Sequence, residues 1–336
     1  MFRIGLSLLI ALAASSTFAA LDPAAVRAAA AYSASHRGAS FLVMENGRTV
    51  QEDYPGGGSA NDARKIYSGT KAFWNLAALA AADDGLLNLD ERVAETIPAW
   101  QNDRRKARVT IRQLLDFSCG LDPAFRLHND DPGDRDAIAI ASPAVAEPGS
   151  AFIYGPAALQ VFHAVLKSKL HGEAPHRYLE RRVLSRLGLG SQRYLQDRAG
   201  NPLLASGWLL SPRQWAKLGK MVLNNGAPVV SGNSLAQCSR GSSANRAFSL
   251  GWWNNRAAPG GREFDFEQML APKWPAQNWR GACICRDAPS DLVVCIGSLG
   301  QRLYVIPSMQ LVVVRHANGG SFSDARFLRL LLGREH

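Results

Sequence analysis

The spacing of apolar positions changes character along the chain, and each change marks an element. "AAVRAAAAYSASH" at 24–36 is alanine-rich with no internal Gly or Pro, which predicts a helix. "ASFLVMENGRTVQEDY" at 39–54 places two β-favouring runs around Glu45-Asn46-Gly47, and Asn-Gly between such runs predicts a tight hairpin. A glycine-rich loop, "PGGGSANDA", follows. From Thr70 to Ala82 the period is helical, with Phe73, Leu76, Ala77 and Ala80 on one face, and Asp83-Asp84-Gly85 ends it.

The next stretch, about 86–235, reads as mostly helical with long connections. Its best segments are "TIRQLLDF", "PAALQVFHAVLKSKL", "HRYLERRVLSRLGL" and "SPRQWAKLGKMVLNNG". Thr110 and Ser211 suit N-caps, Pro212 a first helical position, and Gly188 and Gly226 helix ends. The last hundred residues differ: "DLVVCIGS", "QRLYVIP" and "QLVVVRHA" are short β-branched runs separated by turns, as in adjacent antiparallel strands. "FSDARFLRLLLG" closes the chain as a helix. This order predicts an α/β (α+β) fold: a central antiparallel sheet flanked by helices, with a large, mostly helical region inserted. About 21–75 plus 236–336 form the sheet-containing part, and about 76–235 the helical part.

Charge and composition narrow the function. A formal charge of +10 invites a nucleic-acid reading, but the arginines are scattered and no basic patch with interleaved aromatics appears. Attraction to anionic surfaces or substrates fits better than nucleic-acid binding. The amino terminus, "MFRIGLSLLIALAASSTFAALDP", has one early positive charge at Arg3, an apolar run from Ile4 to about Ala14, and a small-residue end. That run is short of the roughly 20 residues a membrane span needs. It predicts an export signal over 1–20, cleaved near Ala19 or Ala20, no integral membrane segment afterwards, and a periplasmic or secreted protein. In such a compartment Cys119, Cys238, Cys283, Cys285 and Cys295 favour one or two disulfides, with Cys283 or Cys285 bonded to another of the five. Their spacing is poor for structural zinc and the histidines do not cluster, so no metal and no cofactor are expected.

The chemistry concentrates in "RKIYSGTKAFWNLAAL". A helix puts residues i and i+3 on one face, so Ser68 and Lys71 point into the same space. A serine hydroxyl is a weak nucleophile until a base takes its proton. A lysine becomes that base when burial disfavours its ammonium, and an N–H at the helix start can help hold an oxyanion. The bland alternative is a helix-capping serine beside a solvated lysine.

Several further motifs stand in order around this pair: "FLVMENGRTVQEDY", "YSGTK", "DDGLLNLDERVAETIPAW", "VTIRQLLDFSCGLDP", "FIYGP" and "GSLGQRLYVIPSMQLVVVRHA". In that order the chain resembles the serine β-lactamase and penicillin-binding-protein-like superfamily. The nearest branch is that of class C β-lactamases, D-alanyl-D-alanine carboxypeptidases and related esterases. The resemblance implies that Ser68 is a nucleophile forming an acyl-enzyme. It makes Lys71 the proton acceptor or the group that tunes Tyr154. Tyr154, in "FIYGP", matches the tyrosine that passes the proton to the leaving group and activates water.

Two departures matter. Pro156 stands where the family's Tyr-x-Asn motif has its amide, and Cys295-Ile296-Gly297 replaces the Lys/His-Thr-Gly strand motif. The oxyanion hole survives these changes if a strand N–H near Gly297–Ser298 joins that of Ser68. The cationic anchor for a substrate carboxylate is lost unless Arg302 or Arg315 supplies it. The leading reading is an exported serine hydrolase of a small-molecule ester or amide, or of a cell-wall-derived substrate, esterase-like before β-lactamase or D-alanyl-D-alanine peptidase. A reading of another class is a cell-wall or ligand-sensing protein that does not turn over. The sequence carries no signal of oligomeric state.

Overall fold

A computed structural model describes residues 20–335. Apart from Ala20, the expected export signal lies outside the described residues. Seven strands form the main sheet: β1 (Gly38–Glu45), β2 (Arg48–Asp53), β3 (Phe248–Ser249), β4 (Trp252–Asn254), β5 (Val293–Gly297), β6 (Gln301–Ile306) and β7 (Leu311–Ala317). Their order is β2-β1-β7-β6-β5-β4-β3, and every neighbouring pair is antiparallel. The first and last parts of the chain thus meet in one sheet, with Leu42 opposite Val314 where β1 joins β7. The Asn46-Gly47 turn has positive φ at both residues, 50° and 76°, the conformation a two-residue hairpin needs.

The main helices are α1 (Pro23–Ser35), α2 (Thr70–Asp83), α3 (Ile111–Leu115), α4 (Pro156–Lys169), α5 (Pro212–Leu223), α6 (Phe266–Leu270) and α7 (Asp324–Leu331). Every residue of β5, β6 and β7 is buried, because helices cover both faces of the sheet. On one face α1 and α7 pack together, with Phe327 edge-on to Phe41 and stacked on Tyr304. On the other, α5 lies across β6 and β7, and its Trp215 stacks on His316. Caps form where expected: the side chains of Thr110 and Ser211 accept from the N–H groups of Gln113 and Gln214, each worth about 1 kcal/mol. The expected helix at 176–189 runs as Pro175–Leu179 and then widens into a π turn over Glu180–Leu184.

The period of α2 suggests one apolar face, yet all of Thr70–Ala81 is buried. Alanines at 72, 77, 78, 80 and 81 let neighbours close in on every side, so a charged residue in this helix is carried into the interior. That is the fate of Lys71.

The disulfide expectation does not hold. Cys119, Cys238, Cys283, Cys285 and Cys295 are all unbridged and buried. They pack as small apolar side chains; the Cys285 thiol donates to the Ala325 carbonyl at 3.6 Å. No helix among the described residues is long and apolar enough to cross a membrane.

Candidate active site

The chain enters α2 through a single 3₁₀ turn, Tyr67–Gly69, so Ser68 sits just ahead of the α-helix, which begins at Thr70, rather than inside it. Tyr67 has φ 46°, a left-handed conformation that disfavours a side chain. This strained residue turns the Ser68 side chain into a cavity of about 330 Å³ lined by Lys71, Phe125, Tyr154, Leu270 and Ser298 among others. A larger cavity of about 560 Å³, lined by Trp252, Arg256 and Asp291, contains none of the candidate residues. Chemistry, not size, selects the smaller one.

Lys71 is 3% exposed and its Nζ lies 2.8 Å from Ser68 Oγ. It also donates to the main-chain carbonyl of Ala205 at 2.7 Å. Among the described residues no carboxylate answers the ammonium, and burial pulls the lysine from its usual range down to about 7. Its Nζ lies 4.8 Å from the Tyr154 ring centroid. A contact of that kind stabilises a cation by about 0.5–2 kcal/mol, less than the several kcal/mol that burying an unpaired ammonium costs. The neutral amine is therefore accessible near neutral pH. In that form Nζ donates to Ala205 and offers its lone pair to the Ser68 hydroxyl.

Tyr154 reaches the cavity from the turn before α4. Its ring meets Phe117 at 4.9 Å and Phe152 at 6.0 Å between centroids, with Phe248, Trp253 and Phe266 beyond. Burial in this aromatic shell pushes its phenol up, and the neighbouring Ser68 side chain offsets part of the rise. Tyr154 is a neutral proton donor at neutral pH, not a resident tyrosinate. Pro156 opens α4 at its first position and presents no amide. The second contact of Lys71 comes instead from Ala205, which sequence reasoning missed. Its segment is held by the Gln160 amide donating to Pro202 O at 3.1 Å and by pairing of Leu209–Leu210 with Arg64–Lys65. A main-chain carbonyl is offered by every residue type, so the sequence holds no sign of it.

Strand β5 closes the other side. A Cβ on Gly297 would stand 2.0 Å from the Ile66 carbonyl oxygen, so only glycine lets the strand lie this close to the Ser68 turn. The Cys295 thiol donates to Gly69 O at 3.5 Å. Ser298, just past the strand, lines the cavity, and no acceptor among the described residues takes its N–H. Ser68, Lys71, Tyr154 and Ser298 therefore share one cavity, with Gly297 setting the approach of the strand.

Neither arginine offered as a carboxylate anchor reaches it. Arg302 pairs with Asp324 at 2.7 Å and donates to Gly297 O. Arg315 donates to Ser33 Oγ, Gly300 O and His36 O, with its guanidinium 3.8 Å from the Phe322 ring centroid. Both are buried among partners of their own. His128 lines the cavity from its exposed rim; desolvation against the cavity wall and the charges of Lys71 and Arg135 lower it from the usual histidine range, so it is neutral at pH 7. One cluster with metal-ligand chemistry, Glu263, Cys285 and Asp287, does not line this cavity. Its two carboxylates pair with Arg329.

Comparisons with known proteins identify the family and the fold. Among curated relatives, Acyltransferase calJ of Penicillium decumbens is 29% identical over 152 residues, 37% of this chain and 36% of that one. The match thus spans about a third of that relative's length. A class C beta lactamase from Rhodobacter sphaeroides superposes with a TM-score of 0.66 at 17% identity, covering 93% of this chain and 99% of that one. A family VIII carboxylesterase gives 0.65 at 18% identity, covering 94% and 97%. At these identities the two structures speak for the fold. The family model described as Beta-lactamase matches residues 24–334, nearly the whole described chain, and the chain belongs to the Beta-lactamase family of serine hydrolases.

Proposed function

We propose that the protein is an exported hydrolase that cleaves a neutral ester, or a reactive amide, through an acyl-Ser68 intermediate. The observation that carries this reading is the buried Lys71 amine, 2.8 Å from Ser68 Oγ and titrating at about 7. In this mechanism the neutral amine takes the Ser68 proton as Oγ attacks the substrate carbonyl carbon. The amides of Ser68 and Ser298 receive the oxyanion. Tyr154 passes a proton to the departing alkoxide or amine as the carbon–leaving-group bond breaks. Water then attacks the acyl-enzyme, gives its proton to the Lys71–Tyr154 pair, and Ser68 leaves with a proton restored.

The substrate class follows from charge. With Arg302 and Arg315 committed elsewhere and His128 neutral, the described residues give the cavity no permanent cation for a substrate carboxylate. Phe125, Leu270 and Tyr67 give it apolar walls. Both features support a small uncharged acyl ester over a β-lactam or a peptide ending in D-alanine. The esterase among the fold neighbours makes the same chemistry available to this scaffold. Export is supported by the amino-terminal pattern, and mature protein recovered from the periplasm should begin near Ala20 or Leu21. Retention of Met1 there would remove that part of the reading.

A serine-reactive fluorophosphonate together with a panel of p-nitrophenyl esters, anilides and a chromogenic cephalosporin tests the function. The expected result is labelling of Ser68 and continuous turnover of the esters. Labelling without turnover of any panel member would instead favour a sensing protein that stalls as the acyl-enzyme.

A further inference from the structure

Arg302 has more hydrogen bonds than its ion pair requires. Its Nε and Nη2 hold the Asp324 carboxylate at 2.7 and 3.1 Å, a two-pronged pairing that already satisfies the charge. The remaining Nη1 reaches across the turn and donates to the carbonyls of Gly297 and Gln301, each at 3.0 Å. The Gly297 carbonyl belongs to the same peptide unit as the Ser298 N–H. In a trans peptide these two groups point in opposite directions. With the carbonyl drawn toward Arg302 on β6, the Ser298 N–H faces away from β6. On that side β5 has no partner strand beyond Val294, and the Ser68 turn lies against it.

We infer that Arg302 is a positioning residue for the oxyanion site, its guanidinium orienting and polarising the Gly297–Ser298 peptide so that the Ser298 N–H is held toward the carbonyl under attack. This rests on the reading of Ser68 as nucleophile and Ser298 as oxyanion donor. Two facts leave work for an anchor beyond strand pairing. Residue 297 must be glycine because of the Ile66 carbonyl, and glycine leaves the following peptide the freest to rotate. The turn that follows is exposed at Ser298 and Leu299, so beyond the ladder pairing of Gly297 with Gln301 no packing holds the peptide. A charge-assisted bond to its carbonyl does, and it polarises the N–H at the other end of the same unit. Glu267, at the start of α6, supports the arrangement by accepting from the Gly300 N–H at 3.0 Å, 3.9 Å from the Arg302 guanidinium. Asp324 and Tyr304 complete the buried shell.

The test compares wild type, Arg302→Lys, and the double variant Arg302→Gln/Asp324→Asn. The lysine keeps a charge beside Asp324 but lacks the second nitrogen that reaches Gly297. The double variant removes both charges, leaving neither buried alone. Rates are measured with p-nitrophenyl acetate and expressed per active site by fluorophosphonate titration, so lost folding is not counted as lost chemistry. Phenylboronic acid, whose adduct with Ser68 is tetrahedral and anionic, is measured as an inhibitor of each. The proposal expects kcat per active site to fall by about 10- to 100-fold, approaching the loss of one oxyanion donor. KM should change little, and boronate affinity should fall in parallel with kcat. Unchanged kcat per active site and boronate affinity in either folded variant would overturn the role of Arg302. If phenylboronic acid forms no adduct with wild-type Ser68, the reading of the site fails first, and the Arg302 proposal with it.

Discussion

Lys71 donates to the Ala205 main-chain carbonyl at 2.7 Å, and no carboxylate among the described residues stands beside it. A carbonyl dipole steadies an amine without supplying the full charge that would keep it protonated. Burial then prevails and the lysine titrates at about 7. Because the neutral form is the base, kcat/KM for p-nitrophenyl acetate should be flat above this pH and fall tenfold per unit below it. The same lysine titrates near 10.5 when unfolded, so its protonation opposes folding. That penalty is complete below about pH 7 and fades as pH rises toward the ordinary lysine range. A pH–rate profile with no acid limb between pH 5 and 8 would remove Lys71 as the base.

Tyr154→Phe should leave the aromatic shell intact while deleting the proton relay. Turnover should slow by about 10²–10⁴-fold, with a burst of p-nitrophenol as acyl-enzyme accumulates. Stopped-flow absorbance separates the burst from the steady rate. A variant with wild-type steady-state turnover would assign the relay to another group.

Gly297→Ala adds a methyl group 2.0 Å from the Ile66 carbonyl oxygen, a main-chain atom that cannot swing aside. The strand must retreat from the Ser68 turn. We expect a loss of about 1–3 kcal/mol in urea unfolding and a fall in kcat far larger than that destabilisation alone produces. Gly190→Ala, where an added Cβ meets nothing within 4 Å, serves as the neutral control.

A substrate carboxylate that meets no cation loses a charge-assisted hydrogen bond worth roughly 1.5–3 kcal/mol. The ratio of kcat/KM for p-nitrophenyl acetate over a chromogenic cephalosporin should therefore exceed one. Efficient cephalosporin hydrolysis with negligible esterase activity would show that the carboxylate finds an anchor after all.

All five cysteines are buried and unbridged. Denatured, unreduced protein should titrate five thiols, whereas the native protein should react slowly. Fewer than five would place a bridge in the exported form.

Much of this was legible in the chain, for identifiable reasons. Asn46-Gly47 fixes a hairpin because few turns tolerate two positive φ angles in succession. The three C-terminal runs pair as expected because their β-branched residues are buried on both faces. Ser68 and Lys71 stand out through a helical spacing, and the structure places them in contact. What stayed hidden depends on partners far away in sequence. Arg302 looks available until Asp324, 22 residues on, takes its guanidinium. Arg315 is drawn away by Ser33 and His36 from the other end of the chain. The cysteines invited a disulfide reading because burial of each thiol is a tertiary fact. Ala205 contributes through a carbonyl, for which side-chain identity is silent.

Every step of the reaction passes through covalent chemistry at Ser68, and intact-mass analysis of quenched reactions with p-nitrophenyl acetate examines it directly. Wild-type protein should gain one acyl group, mapped by peptide fragmentation to Ser68, within the first turnover. The adduct should decay at the steady-state rate, and Ser68→Ala should show neither adduct nor turnover while unfolding like the wild type. Turnover that survives in Ser68→Ala, or an adduct on a different residue that decays at the catalytic rate, would contradict it.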